Sequence, residues 1–188
     1  MKIGIIGGTF NPIHIGHLIL AQDSQITLGL DKVVFIPVNL PALKESVELI
    51  SAHLRLKMVK IAIKGNPRFA VSSVEIDRGG KSYTIDTLRY FKKRHPNDEL
   101  YFIVGSDASM SLNKWKDFQE IIEIAHFVVA KRSGFSVDNL PEGVKAIDIS
   151  QIEVSSSQVR ERIKESLPIY YLVPNKVRRY ILKKGLYL

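Results

Sequence analysis

Cysteine is absent from this 188-residue sequence. A chain without thiols has no disulfides, no thiolate-bound zinc or iron–sulfur cluster and no cysteine nucleophile, and it suits a reducing compartment. Long apolar runs are lacking too, since the first of them, Ile3-Gly4-Ile5-Ile6, stops at Gly7-Gly8. That length falls short of a membrane span and of a signal-peptide core. We therefore expect a cytoplasmic protein with no membrane partner.

Acidic residues are scarce near the end of the sequence. The chain has 27 Lys and Arg against 19 Asp and Glu, a formal net charge of +8, and from residue 166 onward it has five bases and no acid. Such a basic segment could bind nucleic acid. A helix with Pro174 at its start, Val177 and Ile181 on its apolar face and Gly185 at its stop explains the same residues. We favour the helix and predict no nucleic-acid partner.

Internal repeats, low-complexity tracts and linkers are also missing. The length therefore predicts a single domain over residues 1–188, with a C-terminal helical element at about 157–188. Apolar runs bounded by turn residues predict strands at Lys2–Ile6, Lys32–Val38, Phe69–Val74, Leu100–Val104, Phe127–Ala130 and Ala146–Ile149. Several of these runs are apolar on successive residues, which is typical of strands buried on both faces.

Segments whose apolar residues recur at helical spacing separate the predicted strands. They predict helices at His17–Leu28, Ser51–Lys64, Thr84–Arg94, Phe118–Ala125 and Ser157–Glu165, followed by the terminal helix. In the clearest one Ser51 is the N-cap, and the apolar face comprises Leu54, Met58, Ile61 and Ala62. Strands alternating with helices predict an α/β fold, a Rossmann-like doubly wound parallel sheet with C-terminal helices. Ligands of such sheets bind beyond the carboxyl ends of the strands.

A glycine-rich turn joins the first strand to the first helix. It reads Gly7-Gly8-Thr9-Phe10-Asn11-Pro12-Ile13-His14-Ile15-Gly16-His17. Adjacent glycines let main-chain amides approach a ligand, and a helix start adds N–H donors that favour phosphate. The spacing is not the G-x-G-x-x-G dinucleotide fingerprint. The Gly80-Lys81-Ser82 string is not a P-loop either, because Glu75 stands where the earlier glycine is required.

Two histidines, His14 and His17, close this turn. Because they are three residues apart at a helix start, both imidazoles can face one pocket, and Gly16 leaves room for phosphate beside the backbone. A zinc site is an alternative for paired histidines, but it needs a third ligand that the neighbouring sequence does not supply. We predict no metal ligand in the protein. The other histidines, His53, His95 and His126, are predicted to be ordinary surface or core residues.

Motifs across essentially the whole chain resemble one known family. The His14-Ile15-Gly16-His17 string resembles the (T/H)xGH signature of the nucleotidyltransferases, and the full set of motifs is similar to the bacterial nicotinate-nucleotide adenylyltransferases. The other motifs are Lys81-Ser82-Tyr83-Thr84-Ile85-Asp86-Thr87-Leu88, Gly105-Ser106-Asp107, Lys114-Trp115 and Val154-Ser155-Ser156-Ser157-Gln158-Val159-Arg160. The resemblance implies transfer of AMP from ATP to nicotinate mononucleotide, giving deamido-NAD and pyrophosphate in NAD biosynthesis.

The resemblance also implies roles for particular residues. His14, His17 and Arg160 would be catalytic, holding the ATP phosphates and stabilising the transition state. The ATP site would further include Gly7, Gly8, Thr9, Phe10, Gly16, Gly105, Asp107, Ser155, Ser156 and Ser157. From the residues alone, the serine triplet is equally a helix cap, and Asp107 is equally part of a plain turn. Mg²⁺ would arrive with ATP, held by phosphate oxygens and water.

The acceptor, nicotinate mononucleotide, would contact residues from four segments, one of which also belongs to the ATP site. These residues are Lys44, Ser82, Tyr83, Thr84, Asp107 and Trp115. A single tryptophan is more often a core residue, but Trp115 stands among polar neighbours, so we expect an exposed ring available for stacking. The resemblance implies that this ring packs on the nicotinate ring. Relatives commonly have Pro-Pro-His-Lys where this chain has Pro41-Ala42-Leu43-Lys44, so Leu43 replaces an imidazole.

Three other functions remain open at this point. Phosphopantetheine adenylyltransferase belongs to the same superfamily, but there the first histidine is usually Thr. Nicotinamide mononucleotide differs from the nicotinate form by one amide in place of one carboxylate, which the sequence does not decide. A basic nucleic-acid-binding module would leave the histidine string unexplained. The sequence is compatible with a homo-oligomer.

Overall fold

The structure is a computed structural model that describes residues 1–42, 49–106, 112–131 and 140–188. Its strands are β1 (Lys2–Gly8), β2 (Lys32–Pro37), β3 (Leu40–Pro41), β4 (Phe69–Val71), β5 (Lys81–Ser82), β6 (Glu99–Gly105), β7 (His126–Lys131) and β8 (Val144–Asp148). All six predicted strands are present, whereas β3 and β5 were not predicted. β4 ends before the predicted Val74, because Ser72 and Ser73 start a turn in which Ser72 Oγ accepts the Val74 N–H at 3.3 Å.

The helices also follow the predicted pattern. They are α1 (Ile15–Thr27), α2 (Ala52–Ile63), α3 (Val74–Arg78), α4 (Thr84–Arg94), α5 (Phe118–Ile124), α6 (Ser156–Lys164) and α7 (Asn175–Lys184), with a 3₁₀ turn at Leu112–Lys114. Of these, α3 and the 3₁₀ turn were not predicted. Across the described ranges, no helix combines the length and the apolar composition that crossing a membrane requires.

Six strands form one parallel sheet in the order β4-β2-β1-β6-β7-β8. In chain order of these six strands this is the 3-2-1-4-5-6 arrangement of doubly wound folds. The order reverses between β1 and β6, where Ile3 lies opposite Leu100. Ligands bind at the carboxyl end of such a reversal. The predicted fold class is therefore confirmed, and β3 and β5 form a separate parallel pair near that end.

Successive residues of the central strands enter opposite layers of the core. Ile6 and Phe35 pack on one face of the sheet, and Ile5 and Ile36 pack on the other. Each layer is covered by helices, so the strands are apolar on both sides, as the uninterrupted runs predicted. The sheet therefore exposes its polar main-chain groups chiefly at its ends, and the carboxyl end carries the glycine-rich turn.

The apolar stripe of α2 is rotated relative to the prediction. Arg55, Met58 and Val59 are buried, whereas Leu54 and Ile61 are only half-buried. An arginine is buried on this face because its guanidinium N–H groups donate to main-chain carbonyls. The rotation was invisible to a pattern that counts only apolar residues.

The basic end of the chain is helical, as predicted. Helix α7 buries Val177 and Ile181 and packs against α2. Gly185 ends the helix in the left-handed conformation, with φ of 57°, which a glycine adopts without steric cost. Lys183 and Lys184 lie exposed in the last turn, where the helix dipole favours cations.

Candidate active site

A cleft of about 510 Å³ opens at the carboxyl ends of the central strands. We name its two sides by a characteristic residue. The histidine wall comprises Gly7, Gly8, Thr9, His14, Gly16, His17, Ser155, Ser156, Ser157 and Arg160. The tryptophan wall comprises Glu75, Ser82, Tyr83, Thr84, Thr87 and Trp115, and Gly105 at the end of β6 also lines the cleft. The predicted site residues Lys44 and Asp107, and also Leu43, lie outside the described residues.

Phe10 lies beneath the cleft rather than along it. Its side chain is 1% exposed and packs edge-on against His17, with ring centroids 5.0 Å apart. The ring also crosses Gly8, where an added Cβ would stand 3.1 Å from it. The Phe10 side chain therefore supports the turn from the core, which leaves only main-chain atoms of this residue to face a ligand.

The two histidines form the start of α1. His14 occupies the N-cap, and its main-chain N–H donates to His17 Nδ1 at 3.2 Å. An Nδ1 that accepts a hydrogen bond carries no proton in the neutral ring, so Nε2 bears the N–H of His17. The two imidazoles lie 3.6 Å apart at a 31° interplanar angle, and both line the same cleft. The sequence spacing has thus brought two ring systems to one point of the cleft.

Gly16 makes this stacking possible. An added Cβ at Gly16 would stand 3.2 Å from atoms of the His14 ring. The space that we expected to admit phosphate beside the backbone is therefore partly occupied by the His14 imidazole. Any larger residue here would push that ring, which is only 4% exposed, out of its place.

Main-chain donors at the start of α1 are already engaged by the protein. The His14 N–H bonds His17, and the Ile15 N–H donates to the Leu172 carbonyl at 2.9 Å. The His17 N–H returns to the His14 carbonyl at 3.1 Å. These three main-chain donors are therefore bonded within the protein, and the imidazole side chains face the cleft beside them.

The three serines of the histidine wall make three different contacts. Ser155 caps α6 by accepting the Gln158 N–H at 3.1 Å, as the cap interpretation predicted. Ser156 Oγ donates to the Pro12 carbonyl at 2.8 Å and so ties α6 to the glycine-rich turn. Ser157 Oγ accepts a hydrogen bond from Arg160 at 3.1 Å.

Arg160 uses part of its fork within the protein. Its Nη1 donates to the Asn11 carbonyl at 2.8 Å, and its Nη2 donates to Ser157. A guanidinium has five N–H donors in one plane, so these two bonds leave others for a ligand while fixing the plane. Arg160 is thereby held at the cleft in a defined orientation.

Asn11 is a second anchor of the turn that sequence patterns did not reveal. It is 1% exposed, and its Oδ1 accepts a hydrogen bond from the Tyr187 hydroxyl at 3.0 Å. Burial raises the pKa of Tyr187, so its hydroxyl stays protonated and able to donate. No sequence signal links residues 11 and 187, because the contact depends on how α7 packs.

Arg55 holds the rim of the cleft through main-chain carbonyls. This residue is 1% exposed, and its guanidinium donates to Thr9, Val38, Asn39 and Ile50 oxygens at 2.7, 2.7, 2.9 and 3.1 Å. Burial lowers the pKa of Arg55 from its very high ordinary value. The four oxygens compensate the buried charge, and the turn after β1 is thereby joined to the segment after β2. A base among the apolar residues of α2 was the only available hint.

The tryptophan wall begins where β5 meets α4. Ser82 Oγ accepts the Asn39 N–H at 3.1 Å, which joins the segment after β2 to the start of α4. Tyr83 takes the N-cap position of α4, and the Lys116 ammonium lies 4.9 Å from the centre of its ring. Thr84 follows as the first helical residue, with its N–H at the positive end of α4.

Trp115 is half-buried, which corrects the expectation of an exposed ring. Its ring packs edge-to-face on Phe102 and Phe127, with centroids 5.8 and 5.6 Å apart. Lys114 and Lys116 on either side of it are exposed, while the indole itself packs on the core. Within the described part of the chain, Trp115 Nε1 is buried and makes no hydrogen bond. The ring still lines the cleft.

Glu75 is an unpredicted carboxyl in the same wall. It is 5% exposed, lines the cleft and accepts a hydrogen bond from Thr87 Oγ1 at 2.7 Å on its Oε1. Burial raises the pKa of Glu75, against the opposing effects of the Thr87 and Ser82 hydroxyls and of Arg78. Its position just after a predicted strand gave no reason to single it out.

The remaining histidines lie outside the cleft, as predicted. His53 is exposed on α2, His95 lies 3.0 Å from Asp98, and His126 packs on Tyr101. Among the described residues, no three His, Asp or Glu side chains group as metal ligands would. The charged side chains that line the cleft include Lys114, Lys116 and Arg160 as well as Glu75.

Solved structures share this fold over nearly its full length. Nicotinic acid mononucleotide adenylyltransferase of Plasmodium falciparum complexed with NaAD matches with a TM-score of 0.83 at 22% identity, over 99% of this chain and 97% of that chain. The same protein complexed with APC matches with a TM-score of 0.82 at 22% identity, over 99% and 96%. At such identity these structures support the fold alone.

Sequence relatives add the family. A cytidylyltransferase-like family model matches residues 5–162. Nicotinate-nucleotide adenylyltransferase of Bacillus subtilis is 42% identical over 186 residues, which cover 99% of this chain and 98% of that protein. The chain therefore belongs to the nicotinate-nucleotide adenylyltransferases, within the cytidylyltransferase-like family.

Proposed function

We propose that this cleft transfers the adenylyl group of ATP to nicotinate mononucleotide, giving deamido-NAD and pyrophosphate in NAD biosynthesis. The observation that carries the proposal is the stacked pair His14 and His17, 3.6 Å apart, in one cleft with Arg160 and with the tryptophan wall. Two sides of different chemistry suit a reaction that must hold two nucleotides at once. The net charge of +8 also suits two polyanionic substrates.

The reaction joins two phosphate groups. An oxygen of the acceptor's 5′-phosphate attacks the α-phosphorus of ATP, in line with the bond to the bridging oxygen. That bond breaks, and the bridging oxygen leaves with pyrophosphate. The protein contributes position and charge stabilisation, because no covalent intermediate is required.

The histidine wall would bind ATP. His17 presents an Nε2–H donor and His14 lies against it, so both rings can hydrogen-bond phosphoryl oxygens as charge develops on them. Arg160 adds the guanidinium N–H donors that are not already bonded to Asn11 or Ser157. Gly7, Gly8, Thr9 and Gly105 bring main-chain atoms close to the nucleotide, and the serine triplet closes the site, in which we also place Asp107.

The tryptophan wall would bind the acceptor. Trp115 offers an aromatic face to the nicotinate ring, and Thr84 and Tyr83 place the positive end of α4 beside its carboxylate. Ser82 fixes the start of that helix through Asn39. We also assign Lys44 and Asp107 to this acceptor site, from the resemblance of their motifs.

Magnesium would enter as part of the substrate, the MgATP complex. Phosphate oxygens and water suit this small ion, which keeps much of its hydration shell. The side chains of the histidine wall that bond the phosphates are imidazoles, hydroxyls and a guanidinium, which are donors to phosphate rather than preferred ligands of Mg²⁺. We further infer that residues 1–188 act as one nucleotidyltransferase unit, since Tyr187 bonds the turn at Asn11.

A pyrophosphate-release assay with MgATP and a panel of acceptors tests the proposal. We expect release with nicotinate mononucleotide, stoichiometric with deamido-NAD identified by mass, and little release with phosphopantetheine. Absence of release with every pyridine nucleotide would refute the proposal. Release with phosphopantetheine alone would reassign the acceptor. An oligonucleotide titration at low salt addresses the other class of function, and we expect no salt-dependent affinity beyond that of other basic proteins.

A further inference from the structure

Glu75 is a buried carboxyl that the reaction described above does not use. It lies on the short helix α3 and lines the cleft, although it is 5% exposed. It also touches the helix that would receive the nicotinate carboxylate, since Thr87, one turn along α4 from Thr84, donates to it at 2.7 Å. An acid at this place is unexpected, because the acceptor itself carries a carboxylate.

At hydrogen-bond distance, only one oxygen of Glu75 has a partner among the described residues, although the Ser82 hydroxyl also acts on this carboxyl. Thr87 bonds Oε1, whereas Oε2 is buried and accepts no hydrogen bond from the described residues. The Nε1 of Trp115, on the same wall of the cleft, is a second buried polar atom with no hydrogen bond to the described part of the chain. Buried polar groups are normally satisfied, and both of these side chains line the cleft, so a ligand with polar groups at this wall would complete them.

The indole N–H and the Glu75 carboxyl would respond differently to the carboxylate of nicotinate and to the amide of nicotinamide. The indole N–H donates, so it suits an oxygen of either nicotinate or nicotinamide. A neutral Glu75 would donate its O–H to a carboxylate, whereas an ionised Glu75 only accepts. An ionised Glu75 would repel a carboxylate and would accept a charge-assisted hydrogen bond from the NH₂ of an amide.

We propose that Glu75 determines which pyridine nucleotide is adenylylated: its neutral form donates to the carboxylate of nicotinate mononucleotide, and its ionised form favours the amide of nicotinamide mononucleotide. The inference rests on the proposed function and specifies the acceptor end of that site. The selectivity of the enzyme is then a function of pH.

The charges around Glu75 set the direction of this dependence. Arg78 on its own helix favours the ionised form, and Asp86 on α4 opposes it. The hydroxyls of Ser82 and Thr87 also favour the ionised form, but burial is the largest effect and raises the pKa of Glu75. The neutral form therefore persists to higher pH than in an exposed glutamate. Preference for nicotinate should be greatest at low pH and should decline as pH rises through the pKa of Glu75.

Competition between the two acceptors isolates this effect. The purified enzyme turns over an equimolar mixture of nicotinate and nicotinamide mononucleotides with MgATP from pH 5.5 to 9, and the two dinucleotide products are quantified by mass. Groups that act on ATP affect both reactions alike and cancel in the product ratio. We expect the acid-to-amide ratio to fall by about tenfold or more across the range, as for gain and loss of a charged hydrogen bond. A constant ratio would overturn the proposal.

Two variants assign the dependence to Glu75. Glu75→Gln has nearly the same shape and no titration, so its product ratio should not vary with pH, while Glu161→Gln on the exposed surface of α6 should behave as the parent. A pH dependence retained in folded Glu75→Gln would overturn the proposal. If Glu75→Gln does not fold, Thr87→Val serves, because loss of the hydroxyl raises the pKa of Glu75 further and should move the decline to higher pH. An unmoved decline would equally overturn it.

Failure of the proposed function has a different signature. In that case neither pyridine nucleotide yields a dinucleotide or pyrophosphate at any pH. Failure of the Glu75 inference alone leaves normal turnover with an invariant product ratio.

Discussion

The two walls of the cleft are built in different ways. In the histidine wall, residues that would meet the ligand are held by hydrogen bonds to main chain far away in sequence, as from Ser156 to Pro12 and from Arg160 to Asn11. In the tryptophan wall, Trp115 rests on the packing of two phenylalanines, and two buried polar atoms have no hydrogen-bond partner among the residues that the structure describes. The polar side chains of the first wall are thus anchored to distant main chain, whereas the aromatic side chain of the second is held by ring packing.

This contrast matches the demands of the two substrates. The phosphates of ATP are the reacting groups, and rigid donors in place beforehand stabilise a transition state best, since they need no reorganisation. The pyridine ring takes no part in bond making. A wall whose polar atoms are unsatisfied until the correct ligand arrives gives discrimination, because a wrong ligand leaves a buried group unpaired. Rate would thus depend on one wall and selectivity on the other.

Breaking the histidine wall should have the largest effect. In His17→Ala the cleft loses a ring donor and the cap of the His14 N–H. We expect kcat to fall by about 10²-fold to 10³-fold, as for removal of one preorganised donor. Steady-state pyrophosphate release measures the loss, and circular dichroism checks the fold.

His53→Ala is the matched control, since His53 is exposed on α2 and does not line the cleft. Its turnover should equal that of the parent. Turnover within a few-fold of the parent in folded His17→Ala would remove His17 from the catalytic groups.

A smaller effect on the same wall is expected for Arg160→Lys. Lysine keeps the charge but cannot bond Asn11, Ser157 and a phosphate in one plane. We expect kcat/KM for ATP to fall by about tenfold, the equivalent of one charged hydrogen bond. Arg162→Lys, two residues further along the same helix and bonded to the Pro168 carbonyl, controls for the substitution itself. Equal values for the two variants would contradict an active role of the Arg160 fork.

The difference between the walls also explains what the sequence could predict. His14, Gly16 and His17 are contiguous, so their string alone indicated a shared pocket, and the alternation of apolar runs indicated the sheet. Glu75 and Arg55 were missed because burial of a charge depends on partners from other elements. Trp115 was expected to be exposed because its neighbours are polar, yet its indole packs on Phe102 and Phe127, which are distant in sequence.

Tyr187→Phe should test whether the hydrogen bond from the C-terminal segment to Asn11 supports the histidine wall. The change removes the hydroxyl that bonds Asn11 Oδ1 and keeps the ring. We expect about 1 kcal/mol lower free energy of unfolding, the usual net value of one hydrogen bond, and a few-fold loss of kcat without change in KM for the acceptor. Urea denaturation and steady-state kinetics give the two values. Tyr180→Phe on α7 should change neither, and equal behaviour of the two variants would argue against the contact.

The smallest expected effect sharpens the description of the tryptophan wall. Trp115 is the sole tryptophan, so the emission of the protein reports on this wall alone. The ring is half-buried on Phe102 and Phe127, and its Nε1 bonds to none of the described residues. A nicotinate ring placed over it should therefore change both the polarity and the bonding of the indole. We expect saturable quenching on addition of nicotinate mononucleotide. Ribose 5-phosphate, which lacks the pyridine, should leave the spectrum unchanged, and an equal response to both compounds would show that the ring does not contact Trp115.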